Sequence, residues 1–284
     1  MATVICTINL KGGVGKTTTT VAIGEMMTQA FRKRVLIIDL DPQTNATTML
    51  IGEERWEELN KNGQTLAQLF KDALMEDPES HRFDLEKTLQ RGVSNVRDVQ
   101  NLDLIPSSID LIDVQDRLVT MPSGRFYSNN PTEVLSRALK PVLENYDYVL
   151  IDCPPNLGLI TLNGLRIAHG YIIPTIPDVL STYGIPQIVT RIKSFADSIR
   201  EPIEPYGIVV TKYQSNSSLH NRTLKQLRED RERYPRIFST VVPQSNAMAE
   251  SAEFTPTNTL RQKYQYGGRY DVIYALTQEL IKVV

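Results

Sequence analysis

Cysteine is nearly absent, with two in 284 residues. Cys6 and Cys153 stand far apart in sequence, each inside an apolar, strand-like run. Both read as buried inert thiols rather than a metal or redox site. A charge excess is missing as well: lysine and arginine number 31 against 33 acidic residues, a formal net charge of −2. Bulk positive charge therefore cannot coat nucleic acid, and any DNA contact must come from a local patch. No apolar run approaches bilayer-spanning length. Strand-like sequence starts within the first few residues and leaves no room for a signal peptide, so the expectation is a cytoplasmic protein. Internal repeats, heptad arrays and low-complexity tracts are also lacking. What remains is a chain 41% hydrophobic, long enough for one large α/β domain or two small ones. We read residues 1–284 as one domain.

The stretch that organises the rest is Asn9-Leu10-Lys11-Gly12-Gly13-Val14-Gly15-Lys16-Thr17-Thr18. It follows the apolar run 4–8, which reads as a buried parallel strand. It precedes residues 19–31, where Val21, Ala22, Met26 and Ala30 keep helical spacing. Strand, glycine-rich turn and helix are the context of a phosphate-binding loop. Gly12, Gly13 and Gly15 let backbone N–H groups, including those of Val14 and Thr18, close around phosphate oxygens without Cβ interference. The helix N-terminus adds its positive dipole end. Lys16 can reach the β- and γ-phosphates, and the Thr17 hydroxyl can ligate Mg²⁺.

Other strand ends carry carboxylates. Residues 34–41 form an apolar run closed by Asp39 and Asp41, aimed at the crevice where open α/β sheets bind ligands. Asp41 then positions or activates water and Asp39 supports the metal shell; an Asp-Pro turn that merely stops the strand is the competing reading. Residues 146–155 are a second such run, closed by Asp152 and a Pro-Pro breaker. Its carboxylate would hold Mg²⁺ through water, and Asn156, Leu157 and Gly158 would follow as a switch loop. Further strands are expected at 102–106, 170–175, 206–212 and 238–243, and helices at 181–199 and 270–282. Residues 52–101 read as short helices laid on the sheet edge, with Leu66, Leu69, Phe70 and Leu74 on one face. Residues 121–131 form the clearest internal loop. Seven strand-like runs alternating with helices predict an α/β fold with a doubly wound, mostly parallel sheet.

The form K-G-G-x-G-K-[ST] at residues 11–17 resembles the deviant Walker A box of the ParA/MinD/nitrogenase-iron-protein superfamily. Asp39-x-Asp41-Pro42-Gln43 is similar to its second signature, Ser107 to Leu111 to its third, and Asp152-x-Pro154-Pro155 to its Walker B ending. The cysteine pattern argues against the iron–sulfur branch. The chain looks most like a ParA-type partition ATPase with a P-loop NTPase fold. That resemblance implies ATP and Mg²⁺ as cofactors and a homodimer that sandwiches two nucleotides. Lys11 would act on the partner's nucleotide, Lys16 and Thr17 in cis, Asp41 on the water and Asp152 on the metal. Lys212, Pro243 and Gln244 look like adenine-side segments, with generic strand ends as the competing reading.

The resemblance also implies nonspecific DNA binding in the ATP state, hence nucleoid association, and a ParB-like or other cargo-bound adaptor that stimulates hydrolysis. The cargo could be plasmid, chromosome or carboxysome. Candidate DNA contacts are Arg222 and Lys225, with Arg228, Arg231, Arg233 and Arg236 beyond them. A second cluster, Arg261, Lys263 and Arg269 beside Tyr264 and Tyr266, is preferred because Glu229, Asp230 and Glu232 interrupt the first. The rivals are a MinD-like membrane-cycling ATPase, which needs a basic amphipathic C-terminal helix, and a noncatalytic ADP-binding scaffold. Asp271 and Glu279 on the polar face of the tail point to packing on the sheet instead, so no membrane contact is expected.

Overall fold

Alternate residues of each apolar run are buried on opposite faces, and this two-sided burial draws the runs into one sheet covered by helices on both sides. The computed structural model describes residues 2–75, 77–119, 130–265 and 268–284. Its strands are β1 (Thr3–Thr7), β2 (Val35–Asp39), β3 (Leu102–Ile105), β4 (Tyr148–Asp152), β5 (Gly170–Thr175), β6 (Glu204–Tyr213) and β7 (Ile237–Pro243). They lie in the order β3-β2-β4-β1-β5-β6-β7, and every pair is parallel. Val4, Cys6, Ile38 and Ile151 enter the core on one face, while Ile5, Ile37 and Leu150 enter it on the other. A polar residue at any of these positions would leave an unpaired group in a dry layer.

Topology fixes where a ligand can sit. After β1 the chain goes to β2 and β3 on one side, then returns past β1 to β5, β6 and β7 on the other. The crevice at the carboxyl end of β1 is therefore the topological switch point. The register sharpens this, because Thr7 pairs with Asp152 and Asp152 pairs with Asp39. Two carboxylate-bearing strand ends thus finish level with the start of the glycine loop. The helix after that loop spans Lys16–Gln29, starting three residues earlier than its apolar spacing suggests. Gly24 lets this helix lie close on the sheet, since a Cβ there would stand 2.9 Å from Ile37 Cδ1.

Elsewhere the helical readings are modified. The stretch 181–199 is two helices, Val179–Tyr183 and Ile185–Ile199, divided at Gly184. Pro186 lacks an N–H and fits only a first turn, so the second helix starts afresh there. Residues 52–101 do form short helices, Glu53–Lys61, Leu66–Ala73 and Leu85–Thr88. Leu66, Leu69 and Phe70 join the sheet's own core. The loop expected at 121–131 lies outside the described residues except for Asn130 and Pro131. The last helix, Arg269–Val283, buries Tyr270, Ile273, Leu276 and Leu280 and packs on β7 and on Lys16–Gln29. Its apolar face is covered by protein, as the polar face of the tail led us to expect. Among the described residues no helix is long and apolar enough to cross a membrane.

Candidate nucleotide site

The glycine loop is built around left-handed backbone. Gly13 has φ 74° and Gly15 φ 83°, a region that glycine enters without the penalty a Cβ brings. Nothing lies within 4 Å of where a Cβ of Gly12 or Gly13 would stand, so that space is open for a ligand. Two long-range bonds hold the loop's shape. Asn9 Nδ2 donates to the Pro174 carbonyl at 2.8 Å, and Thr211 Oγ1 donates to the Val14 carbonyl at 2.7 Å. Neither pairing was legible in the sequence, because each partner comes from a strand more than 160 residues away. A cavity of about 320 Å³ opens over the loop, lined by Gly12, Gly13, Lys16, Thr17, Asp41 and Lys212 among others.

The acids divide their work. Thr17 Oγ1 donates to Asp152 Oδ2 at 2.7 Å, which places two oxygen ligands side by side at the helix start. Asp152 is fully buried, and burial pushes its carboxyl up to about 7, with Asp41 adding to the rise and bonds from Thr17 opposing it. A buried carboxylate in that condition is suited to a cation, and an all-oxygen set with room for phosphates fits Mg²⁺. Asp41 is 5% exposed and faces the same cavity, its Oδ1 accepting the Gln43 N–H at 3.0 Å. Asp39 lines neither this cavity nor the next one. Its Oδ2 accepts the Thr47 N–H and hydroxyl, and its Oδ1 accepts the Asp41 N–H. Burial, followed by the nearby Asp152 charge, raises it well above the usual carboxylate range. It holds the turn that carries Asp41. Ser107 completes that turn from the neighbouring strand end, donating its hydroxyl to the Asp41 carbonyl at 2.7 Å.

Lys11 points away from the glycine cradle. Its Nζ is 2.9 Å from Ser181 Oγ and 3.4 Å from both Asp178 carboxylate oxygens. Lys16 Nζ lies 3.5 Å from the Lys11 carbonyl. A second cavity, about 240 Å³, adjoins the first through Gly15, Thr18 and Lys212, and is walled by Pro243, Gln244, Met248 and Ala249. The three positions expected on the adenine side therefore all line this second cavity. Lys212 adopts φ 49° and donates to the Gly13 carbonyl at 2.7 Å, so it also braces the loop. Met248 and Ala249, which sequence reasoning passed over, belong to the same wall, and Ala252 lines the first cavity; scattered apolar residues after a strand give no signal of their own.

The two thiols are buried and free. Though distant in sequence they are neighbours in space, where contact with Cys6, together with burial, lifts the Cys153 thiol well above its ordinary range.

Folding breaks up the preferred basic cluster and leaves Arg261 as its one exposed cation among the described residues. Lys263 is 2% exposed at its side chain and pairs with the buried Glu25 at 2.7 Å, so it cannot meet DNA. Arg269 Nε donates to Ser245 Oγ at 3.0 Å, behind the second cavity. Arg261 stacks over Tyr270 at 4.0 Å and lies 3.6 Å from Asp271. Tyr264 is buried, and Tyr266 lies outside the described residues. The other cluster is exposed. Arg222 and Lys225 lie on the Ser218–Glu229 helix, with Lys225 3.8 Å from Glu229. Arg228, Arg231 and Arg236 line a cleft of about 930 Å³ beside the start of β7.

Comparison with known proteins places this geometry in a lineage. A family model described as an AAA domain matches residues 2–204. The uncharacterized protein Rv1708 of Mycobacterium tuberculosis is 36% identical over 212 residues, 75% of the chain, and the chain spans only 58% of that relative's length. The chromosome-partitioning ATPase Soj of Treponema pallidum is 30% identical over 246 residues, covering 86% of the chain and 84% of Soj. A Mycobacterium smegmatis structure named cobyrinic acid a,c-diamide synthase, with bound ATP analog and magnesium, superposes with a TM-score of 0.75 at 26% identity. That match covers 99% of this chain and 95% of the other. With its glycine loop, its Thr17–Asp152 pair and its seven-stranded parallel sheet, the chain belongs to the ParA/Soj family of P-loop ATPases.

Proposed function

We propose that the chain hydrolyses ATP to ADP and phosphate, dimerises around ATP, binds DNA without sequence preference and is stimulated by a cargo-bound adaptor. The observation that carries this reading is the convergence of Lys16, Thr17 and Asp41 on one cavity at the switch point, with Asp152 buried behind Thr17 and bonded to it, and Lys11 next to the loop. The name of the Treponema relative supports partition of a cargo over the synthesis named for the mycobacterial structure, and it does so at the higher identity. Phosphoryl transfer to water asks little covalent chemistry of the protein; positioning and charge neutralisation do most of the work. The loop amides and Lys16 hold the phosphates. Thr17 and Asp152 would hold Mg²⁺, which when bound supplies charge neutralisation at the phosphoryl oxygens. Asp41 accepts a hydrogen bond from the attacking water and orients it in line. Lys11 crosses to the partner's nucleotide after exchanging Asp178 and Ser181 for phosphate.

DNA contact falls to the exposed arginines around the cleft beside β7, together with Arg222 and Lys225, and the ATP state is the nucleoid-associated one. Membrane cycling is the weaker reading, because the apolar face of the last helix is already buried on the sheet. The test is co-sedimentation with plain duplex DNA and with anionic liposomes, each with ATP, ADP or no nucleotide. ATP-dependent, salt-sensitive pelleting with DNA alone is expected. Pelleting with liposomes but not DNA would overturn the proposal.

A further inference from the structure

The first helix carries an expensive feature on the side away from the ligand. Glu25 lies within the Lys16–Gln29 helix and is wholly buried. Lys263 Nζ donates to its Oε1 at 2.7 Å, Ser94 Oγ donates to the same oxygen at 2.8 Å, and the Tyr264 hydroxyl donates to Oε2 at 2.8 Å. Lys263 also donates to Asn95 Oδ1 at 2.9 Å. Asn95 then reaches further along the chain. Its Nδ2 donates to the Glu253 and Thr255 carbonyls at 3.2 and 3.0 Å, and its carbonyl accepts the Thr257 N–H at 2.8 Å. The segment so fixed follows directly on Met248, Ala249 and Ala252, which wall the two cavities.

A buried ion pair is a poor way to gain stability, since an apolar pair of similar volume often does as well or better. What this one provides is geometry: a carboxylate with three donors admits one arrangement of the elements that meet there. We propose that the Glu25–Lys263 pair is a positioning device for the nucleotide site. It joins the rear of the helix that presents the phosphate loop to the segment that walls the base side, and so sets the spacing between the two. Neither residue lines a cavity, so neither is catalytic. The consequence is selective: the pair governs affinity for the nucleoside half of ATP and leaves affinity for the triphosphate half alone. This rests on reading the two adjoining cavities as one ATP site.

The experiment measures binding of ATP and of inorganic tripolyphosphate, each with Mg²⁺, by calorimetry on the full chain. Glu25→Gln with Lys263→Met removes both charges together, so no unpaired charge is left buried. Asn95→Ala keeps the ion pair but cuts its link to residues 253–257, and serves if the double variant fails to fold. In each folded variant, confirmed by circular dichroism, ATP affinity falls by about tenfold, the equivalent of one well-placed hydrogen bond, while tripolyphosphate affinity is unchanged. Equal losses for both ligands, or no loss for either, would overturn the inference. Wild-type protein that binds tripolyphosphate no more weakly than ATP would remove its premise, and wild type that binds neither would overturn the nucleotide reading itself.

Discussion

A lysine in a phosphate loop can act on a second nucleotide only after its resting partners are replaced. Lys11 starts from Asp178 and Ser181. Asp178 is suited to keep it: burial works to raise that carboxyl, but bonds from Ser181 and the Lys11 charge outweigh it and hold it low. Lys11→Ala therefore retains ATP binding but loses ATP-dependent dimerisation and adaptor-stimulated turnover, as light scattering and phosphate release would show. Dimers of wild-type stability in that variant would contradict the role in trans. Asp41→Ala keeps the cavity and removes the group facing the water, so single-turnover hydrolysis falls by about 100-fold or more while ATP affinity holds. Hydrolysis at the wild-type rate would take Asp41 out of the chemistry. At this scale the loop was legible because its function demands fixed residue types at fixed spacing. Lys263 was misread for an equally physical reason: charge in a sequence indicates solvent only when no buried partner waits, and Glu25 lies 238 residues away.

Among the elements, the strands were easier to read than the helices. Burial on both faces leaves an unbroken apolar run, whereas the break at Gly184 depends on where a proline falls within a turn. The last helix also has work that its apolar spacing hides. Glu279 accepts the N–H groups of Ser239 and Thr240 at 2.8 and 3.1 Å, and the Ser239 hydroxyl at 2.8 Å. It thereby satisfies donors of β7, which lies at the edge of the sheet. Burial alone would raise this carboxyl, but those bonds prevail and lower it from 4.5. A carboxylate with a lowered folded value adds stability that is complete above its unfolded value and is lost as pH falls through the folded one. Glu279→Ala thus costs about 1.5–3 kcal/mol at neutral pH, the range for hydrogen bonds to a charged group. The gap between variant and wild type narrows between neutral pH and a pH below the lowered folded value. Urea unfolding at both pH values checks this, and a gap that is constant with pH would contradict it.

For the whole molecule, net charge is silent about DNA, and the arrangement of charge decides. Folding removes Lys263 from the surface and gathers Arg228, Arg231 and Arg236 around one cleft. Arg228→Ala and Arg231→Ala each weaken ATP-dependent DNA binding and flatten the log–log salt dependence by about 0.9 for each phosphate that the variant no longer neutralises. Arg261→Ala, already engaged with Tyr270 and Asp271, leaves that slope unchanged. A salt titration of fluorescence anisotropy reads both, and the reverse ranking would move the DNA face. The fold at this scale was legible, because seven alternating runs permit few topologies. The DNA face was not, because it depends on which charges find partners across the chain.

The most direct test of the central claim is the solution mass of the wild-type chain, by light scattering, with Mg²⁺ and either a nonhydrolysable ATP analogue, ADP or no nucleotide. A nucleotide-sandwich ATPase doubles its mass with the analogue alone and returns to the monomer with ADP. A monomer in all three states, in protein shown to bind the analogue, would contradict the account.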